Sequence, residues 1–288
     1  MLGINTNAPS LGAQMNLSKS AGSLETSIAR LSSGLRVNSS KDDAAGLAIA
    51  ERMTAQIRGF DVAARNANDG ISLLQVADGA LGKITDNLQR MRELGVQAKN
   101  GTLNDTDRAN LNREFVELAN EVGRVATGTT FNDNNVFAAA NKSVELQIGS
   151  GNDAADTLAV NLTEDGTAGG NDLQTTLGGA TQAAIVTAFG GVDTAANAET
   201  AIDTIDTAID DITNLRATTG AGLSRLEQVV GSLETTSSNL SSARGRIMDA
   251  DFAKETANLT RAQILQQAGT AMLAQANQLP NNVLSLLR

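Results

Sequence analysis

The chain has no cysteine, no histidine, no tryptophan and no tyrosine, and only two prolines, Pro9 and Pro280. Without cysteine there is no disulfide and no thiol chemistry, although such a chain tolerates either redox setting. Lacking histidine as well, it lacks the usual zinc and transition-metal ligands. General acid–base catalysis draws mostly on histidine, or on carboxylates in a shaped apolar pocket. Here the carboxylates lie in a glycine-rich stretch or at exposed helix positions, so an enzyme is not expected. Aromatics make up 2% of the residues against 41% hydrophobic overall. Alanine, leucine and isoleucine must therefore do the packing, and small residues suit close helix–helix contact. The span between the prolines is free of the strongest helix breaker. No apolar run reaches the ~18–20 residues of a membrane span. Residues 1–7 have no basic n-region and no apolar h-region, so a soluble chain without a secretory signal peptide is expected.

Charge is unevenly placed. The net charge is −10, yet no Lys or Arg occurs between Ser143 and Leu215, while twelve acidic residues do. The remainder is close to neutral. An acidic block favours exposure and solubility, and near-neutral ends tolerate close self-association. No basic stripe with stacking aromatics is present, so nucleic acid is not an expected partner.

What the chain does have is heptad rhythm at both ends. Leu17, Ala21, Leu24, Ile28, Leu31 and Leu35 step by 4-3-4-3-4. Leu265, Ala268, Met272 and Leu279 continue the pattern near the other end, with Leu286 a further seven residues on. These read as coiled-coil seams. The helices carrying them have no third helix of matching length, so each other and copies of the same chain are the simplest partners.

Between the ends, helices dominate. A first helix over residues 5–33 is expected to stop at Gly34. Ser40 and Asp43 have capping-box spacing before a second helix to about Lys99, on the order of 85–90 Å long. Gly101 stands where a left-handed C-cap is wanted. The seam of this helix contains a 3-3 step at Ile71, Leu74 and Ala77, a stammer. Leu111, Phe115, Leu118, Val122 and Val125 mark a third helix returning antiparallel and ending at Gly128. Val144, Leu146 and Ile148, then Leu158, Val160 and Leu162, alternate with polar residues around Gly149–Asp153, a β-hairpin pattern. A glycine-rich exposed stretch follows, with a short helix over 182–189. Ile202, Ile205, Ile209, Ile212, Leu223, Leu226, Val230, Leu233, Leu240 and Ile247 share one 3-4 grid, and a last helix spans 249–286.

The predicted fold class is mainly α: a long antiparallel helical bundle or coiled coil with a small β-hairpin and a short exposed central insertion. The expected segments are 1–40 (terminal seam helix and linker), 41–140 (first half of a helical rod), 141–195 (hairpin and surface region), 196–245 (second half of the rod) and 246–288 (terminal seam helix).

The chain resembles bacterial flagellins. Leu31-Ser32-Ser33-Gly34-Leu35-Arg36-Val37-Asn38-Ser39-Ser40-Lys41-Asp42-Asp43-Ala44-Ala45-Gly46 is similar to the family's N-terminal signature. Arg65-Asn66-Ala67-Asn68-Asp69-Gly70-Ile71-Ser72 is a second block. Ala276-Asn277-Gln278-Leu279-Pro280-Asn281-Asn282-Val283-Leu284-Ser285-Leu286-Leu287-Arg288 resembles the family's tail, with Asn281 where Gln is common. The resemblance covers about 1–140 and 195–288, and the middle is short, as in a variant with a reduced central variable domain.

The resemblance implies a structural subunit that polymerises into the helical flagellar filament for motility, outside the cell, after type III export. It implies an export chaperone on the C-terminal helix, and filament cap and hook-junction proteins as partners. It also implies a receptor-binding patch for the host Toll-like flagellin receptor at Gln89, Arg90 and Leu94, with Glu114 on the neighbouring helix. The seam residues Leu17, Leu24, Ile28, Leu31, Leu35, Leu265, Ala268, Met272, Leu279 and Leu286 are the candidate polymerisation contacts. No cofactor, metal or membrane insertion is expected. A hook–filament junction or rod-associated protein of the same helical plan is the alternative.

Weaker motifs remain. Gly149–Asp153 and Gly169–Asp172 hold Gly/Asp runs without a sustained calcium repeat or a closing Glu. Gly149-Ser150-Gly151 lacks the rest of a dinucleotide fingerprint. Ser and Thr of the middle are open to O-glycans.

Overall fold

The computed structural model describes residues 7–138, 143–162, 177 and 181–286, with the side chains of 161 and 279–286 outside that description. Two compact units result: Met1–Ile57 with Ser238–Arg288, and Arg58–Ser237. Helices α1 (Ala8–Ser33), α2 (Ala44–Ala98) and α3 (Asp105–Gly128) come first. Strands β1 (Thr130–Phe131), β2 (Asn134–Asn135), β3 (Ser143–Gln147) and β4 (Thr157–Asn161) follow. The chain continues as α4 (Gln182–Phe189), α5 (Ala195–Met248) and α6 (Phe252–Leu286). Helices α2 and α5 contribute to both units. The expected class, mainly α with a small hairpin, is what the chain adopts.

In the unit Arg58–Ser237, α2 and α5 run antiparallel. Asp78 pairs with Arg216 at 2.9 Å, Arg92 with Asp206 at 2.6 Å, and Lys99 with Glu199 at 3.1 Å. Between these exposed pairs lies the core that the periodicity predicts. Leu74, Ala77, Leu81, Ile84, Leu88 and Met91 of α2 face Ile205, Ile212 and Leu226 of α5 within one buried cluster. The 3-3 step at Ile71–Ala77 leaves α2 unbroken. Helix α3 adds Phe115, Ala119, Val122 and Ala126. Its N-cap is Asn104, whose side chain accepts from Asp107 N at 2.8 Å.

The turn between α2 and α3 corrects one expectation. Gly34 and Gly190 are the described glycines with positive φ, and Gly101 is not among them. Arg108 satisfies the end of α2 instead, donating from Nε to the Ala98 carbonyl and from Nη2 to the Asn100 carbonyl, both at 3.1 Å. A guanidinium fork meets orphan carbonyls without requiring a left-handed residue.

The hairpin β3–β4 is antiparallel with Val144 opposite Val160 and Leu146 opposite Leu158. Its apolar face is not solvated: Leu158, Val160 and Leu162 are buried in the same core. Asn66 of α2 donates to the Gln147 carbonyl at 3.0 Å. Helix α4 sits where the sequence placed it, with Ile185 and Phe189 buried against α3. The remaining central residues, 163–176 and 178–180, lie outside the described residues. A second, tiny hairpin, β1–β2, turns through Asn132 (φ 49°) and Asp133 (φ 63°). A two-residue turn with both φ positive suits Asn and Asp, whose short polar side chains tolerate that region.

In the other unit, α1 and α6 pack against each other. Asn7 caps α1, its side chain accepting from Ser10 N at 3.2 Å, and Pro9 occupies the first turn, where its missing N–H costs nothing. Gly34 ends the helix at φ 70°, as expected of a left-handed C-cap. Leu35 bridges to Asp249, and Arg36 N donates to the Met248 carbonyl at 2.6 Å. Val37, Ala50 and Met248 form a small core beside them. The cap of α2 is Asp43 and not Ser40: Asp43 Oδ1 accepts from Gly46 N at 2.8 Å. Asp42 is occupied with the N–H groups of Asn38 and Ser39. Four cap-competent residues, Ser39, Ser40, Asp42 and Asp43, stand close together here, and the carboxylate next to the first helical residue wins.

Candidate functional site

The α1–α6 contact is antiparallel, and polar groups set its register. Asn7 Nδ2 donates to the Ala276 carbonyl at 2.9 Å, and Ser10 Oγ to Asn277 Oδ1 at 2.9 Å. At the other end, Ser27 Oγ donates to Glu255 Oε2 at 3.1 Å and Arg30 Nη1 to Glu255 Oε1 at 3.2 Å. Glu255 is only 7% exposed. Burial pushes its carboxyl upward. The hydrogen bonds from Ser27, Asn258 and Arg30 and the Arg30 charge outweigh that, and the net direction is downward.

The face of α1 turned to α6 is therefore Ser10, Ala13, Leu17, Ser20, Leu24, Ser27 and Leu31, all buried or half-buried. On α6 it is Glu255, Leu259, Ala262, Gln266, Gly269, Leu273 and Ala276. A side chain at Gly269 would crowd Leu17 Cδ1, 3.2 Å away. This corrects the register of the strips read from sequence. Leu17, Leu24 and Leu31 do lie in the contact, and Leu35 is half-buried beside the Val37 core. Ile28 is 50% exposed, Leu265 51% and Met272 64%, and Ala268 is exposed too. Leu279 and Leu286 belong to α6, but their side chains lie outside the described residues.

The contact thus mixes leucine, alanine and glycine with Ser10, Ser20, Ser27, Gln266 and Glu255, while large apolar side chains are left outside it. Leu11, Met15 and Ile28 of α1 and Phe252, Ile264, Leu265 and Met272 of α6 are all exposed. Covering each half-exposed side chain is worth on the order of 1 kcal/mol. Exposed apolar strips of this kind mark interaction surfaces.

The second candidate patch lies on α2 and α3. Arg90 donates from Nε and Nη2 to Glu114 Oε1 at 3.0 and 2.8 Å, and from Nη1 to Glu93 Oε2 at 2.8 Å. The bonds to Glu93 and then Glu114 raise the pKa of Arg90 above its ordinary value. Gln89 is exposed beside it. Leu94 is not part of that surface: at 1% exposure it belongs to the helical core. Position 94 is three residues after Met91, which is also buried, and shares its inward face.

Among the described residues no group of acidic side chains is arranged to hold a metal ion, and no helix is long and apolar enough to cross a membrane.

A family model described as the bacterial flagellin N-terminal helical region matches residues 4–142, and one described as the bacterial flagellin C-terminal helical region matches residues 202–287. The flagellin of Halalkalibacterium halodurans is 43% identical over 287 residues, covering 99% of each chain. The chain belongs to the flagellin family. A flagellin of Xenorhabdus nematophila is 42% identical over 314 residues, again covering 99% of each. The crystal structure of Bacillus cereus flagellin is 33% identical, covers 62% of this chain and 94% of its own, and superposes with a TM-score of 0.48. Flagellins are structural proteins of the flagellar filament, not enzymes, and they self-associate. The short stretch between the two family matches corresponds to a reduced variable domain.

The residues that sequence reasoning missed are Ser27, Arg30 and Glu255. A partial signal was present: Glu255 opens the 3-4 series Leu259, Ala262, Gln266, Gly269, Leu273 and Ala276, and Arg30, one turn after Ser27, is an opposite charge on the other terminal helix. A search for hydrophobic repeats passes over them because charge at an interface position breaks the repeat.

Proposed function

We propose that the chain polymerises through its α1–α6 unit, whose outer apolar strips are covered by neighbouring copies in an extracellular flagellar filament. The single observation that carries this is that Leu11, Met15, Ile28, Phe252, Ile264, Leu265 and Met272 stand exposed on that helix pair while Ser27 and Glu255 are buried inside it. A self-contained pair would bury Ile28, Leu265 and Met272 and expose Ser27 and Glu255. Family membership supports the helical filament as the destination. A heterologous contact repeated by one screw operation gives a filament and not a ring.

Leucines interrupted by Ser20, Ser27, Gln266 and Glu255 make a thin two-helix seam, which supports terminal helices that open readily in the monomer and are fixed on docking. Ordering them is opposed by about 1–2 kcal/mol per residue of backbone entropy, so much of the offset must come from the outer strips. The same strips explain why an export chaperone would cover α6 before assembly, and why cap and hook-junction proteins would meet the exposed ends of a growing filament. The proposed domain roles follow: 1–40 and 246–288 as the filament core, 41–140 and 196–245 as the rod, 141–195 as the variable surface. The exposed Gln89, Arg90 and Glu114 support contact with the Toll-like flagellin receptor, with Leu94 holding the helix beneath them.

Seeded elongation tests the assembly reading. Purified monomer added to filament fragments should grow to micrometre length, and deletion of residues 282–288 should slow growth while leaving monomer helicity largely intact. Few-copy association without elongation would instead indicate the junction-type role. For the receptor, an Arg90→Ala monomer should signal less than wild type in a reporter cell, and equal signalling would remove the assignment.

A further inference from the structure

Beside the Glu255 contact, α1 and α6 enclose an open cleft of about 500 Å³. Lys19, Ser23 and Arg30 line one wall, and Glu255, Arg261 and Leu265 the other. Three cationic side chains face one carboxylate there, and that carboxylate is already committed to Arg30 and Ser27. Lys19 makes no side-chain hydrogen bond or ion pair among the described residues, and Arg261 donates to the neutral Asn258 at 3.2 Å. Arg30 Nε is buried and has no hydrogen-bond partner among the described residues. A buried N–H without an acceptor is costly, and the charge around it favours an anionic acceptor.

We propose that this cleft receives the Glu25 carboxylate of a second copy of the chain, an inference that rests on the assembly reading above. Glu25 is exposed on α1 and has no hydrogen bond or ion pair among the described residues. It lies two residues from Ser23, about 200° around the helix, so it faces away from its own cleft. A copy that inserts Glu25 into its neighbour therefore still offers its own cleft to the next copy. That is the heterologous, non-closing contact a filament needs. Ile28, one turn from Glu25, is carried to the rim where Leu265 is exposed. Covering these two excludes water from the ion pair and strengthens it. The partner is thus a second copy, recognised by a carboxylate flanked by an aliphatic side chain.

A charge-swap cycle in seeded elongation tests the pairing on the full-length chain. Glu25→Lys alone, and Lys19→Glu with Arg261→Glu, should each raise the critical concentration by at least about 2- to 5-fold, the upper range of an exposed ion pair. Combining all three substitutions should return it toward wild type. Far-UV circular dichroism on each monomer checks that the helices persist, and the Arg30–Glu255 pair is untouched in every variant. Elongation of the Glu25→Lys chain at the wild-type critical concentration, or a triple variant no better than the singles, would overturn the pairing while leaving polymerisation intact. A wild-type chain that fails to elongate would overturn both.

Discussion

Arg30 and Glu255 meet at 3.2 Å across α1 and α6, and the same carboxylate accepts a hydrogen bond from Ser27 at 3.1 Å. A buried charged group with defined partners fixes the register of two helices better than interchangeable leucines can, because any slip strands the charge. Glu255→Ala should therefore destabilise the α1–α6 pair by about 1–3 kcal/mol, the cost of leaving buried donors unsatisfied. Hydrogen exchange of α1 amides in the monomer reads this directly. Protection equal to wild type would show that leucine packing alone sets the pairing.

The same carboxylate makes the pair sensitive to acid. Its folded-state pKa is held below the ordinary glutamate value of 4.5. The stabilisation is then complete above that value and is lost as pH falls through the lowered folded-state pKa. The charged groups around it are Arg30 and Lys19 of α1 and Arg261 of its own helix. Limited proteolysis of the α1–α6 pair should show protection falling below pH 4.5 in wild type. In Glu255→Gln the protection should be lower throughout and flat across that window.

The outer strip should behave in the opposite way. Ile28 and Met272 are exposed in the single chain, so Ile28→Ser or Met272→Gln should change monomer stability by no more than about 0.5 kcal/mol. Seeded elongation should nonetheless weaken, because the contact removed lies between copies. A thermal melt of the monomer alongside the elongation assay separates the two effects. A variant that lowers the melting temperature and leaves elongation unchanged would place these side chains inside the subunit.

The contrast between those strips marks where the sequence was legible. Phe115 and Val122, or Leu81 and Leu88, were readable because their helices have one buried face, and periodicity reports a buried face well. The β3–β4 hairpin was legible from the alternation of Val144, Leu146 and Ile148 with Leu158, Val160 and Leu162, though its register was not, and a short helix was expected at Gln182–Phe189. Helix α1 has two functional faces, one toward α6 and one toward solvent, and its small polar residues occupy the inner one. A heptad reading joined Leu17, Leu24 and Leu31 of the inner face to Ile28 of the outer, since Ser27 carries no hydrophobic signal. The β1–β2 turn was missed because Asn132 and Asp133 are flanked by strands of two residues, too short for alternation to register. At Ser39–Asp43 four cap-competent side chains stand close together, and only geometry distinguishes the cap from its neighbours.

Leu94 and Arg90 divide a patch that sequence treats as one. Leu94→Ala removes a buried side chain beside Met91 and should cost about 2–5 kcal/mol of stability in the Arg58–Ser237 unit. Arg90→Ala removes an exposed group whose bonds to Glu93 and Glu114 are solvated, so the denaturation midpoint should stay close to wild type. Chemical denaturation of both variants, read beside receptor signalling, should show Leu94→Ala acting through folding and Arg90→Ala acting without it.

Two helical glycines give the last contrast. Gly79 has no atom within 4 Å of where a Cβ would stand. Gly79→Ala should raise stability by about 0.5–1 kcal/mol, because alanine costs less backbone entropy in a helix. Gly123 lies where α4 begins, and a Cβ there would stand 2.8 Å from Gln182 Cγ and 3.1 Å from its Cα. The side chain can swing aside only by giving up its Nε2 bond to the Asn120 carbonyl at 3.0 Å, and the backbone of Gln182 is held by the cap residue Thr181 beside it. Gly123→Ala should therefore lift α4 from α3 and expose Ile185 and Phe189, costing about 1–3 kcal/mol. Hydrogen exchange should find the loss concentrated in 182–189. An unchanged or raised denaturation midpoint for Gly123→Ala would show that α4 yields, and that glycine is not required for its docking.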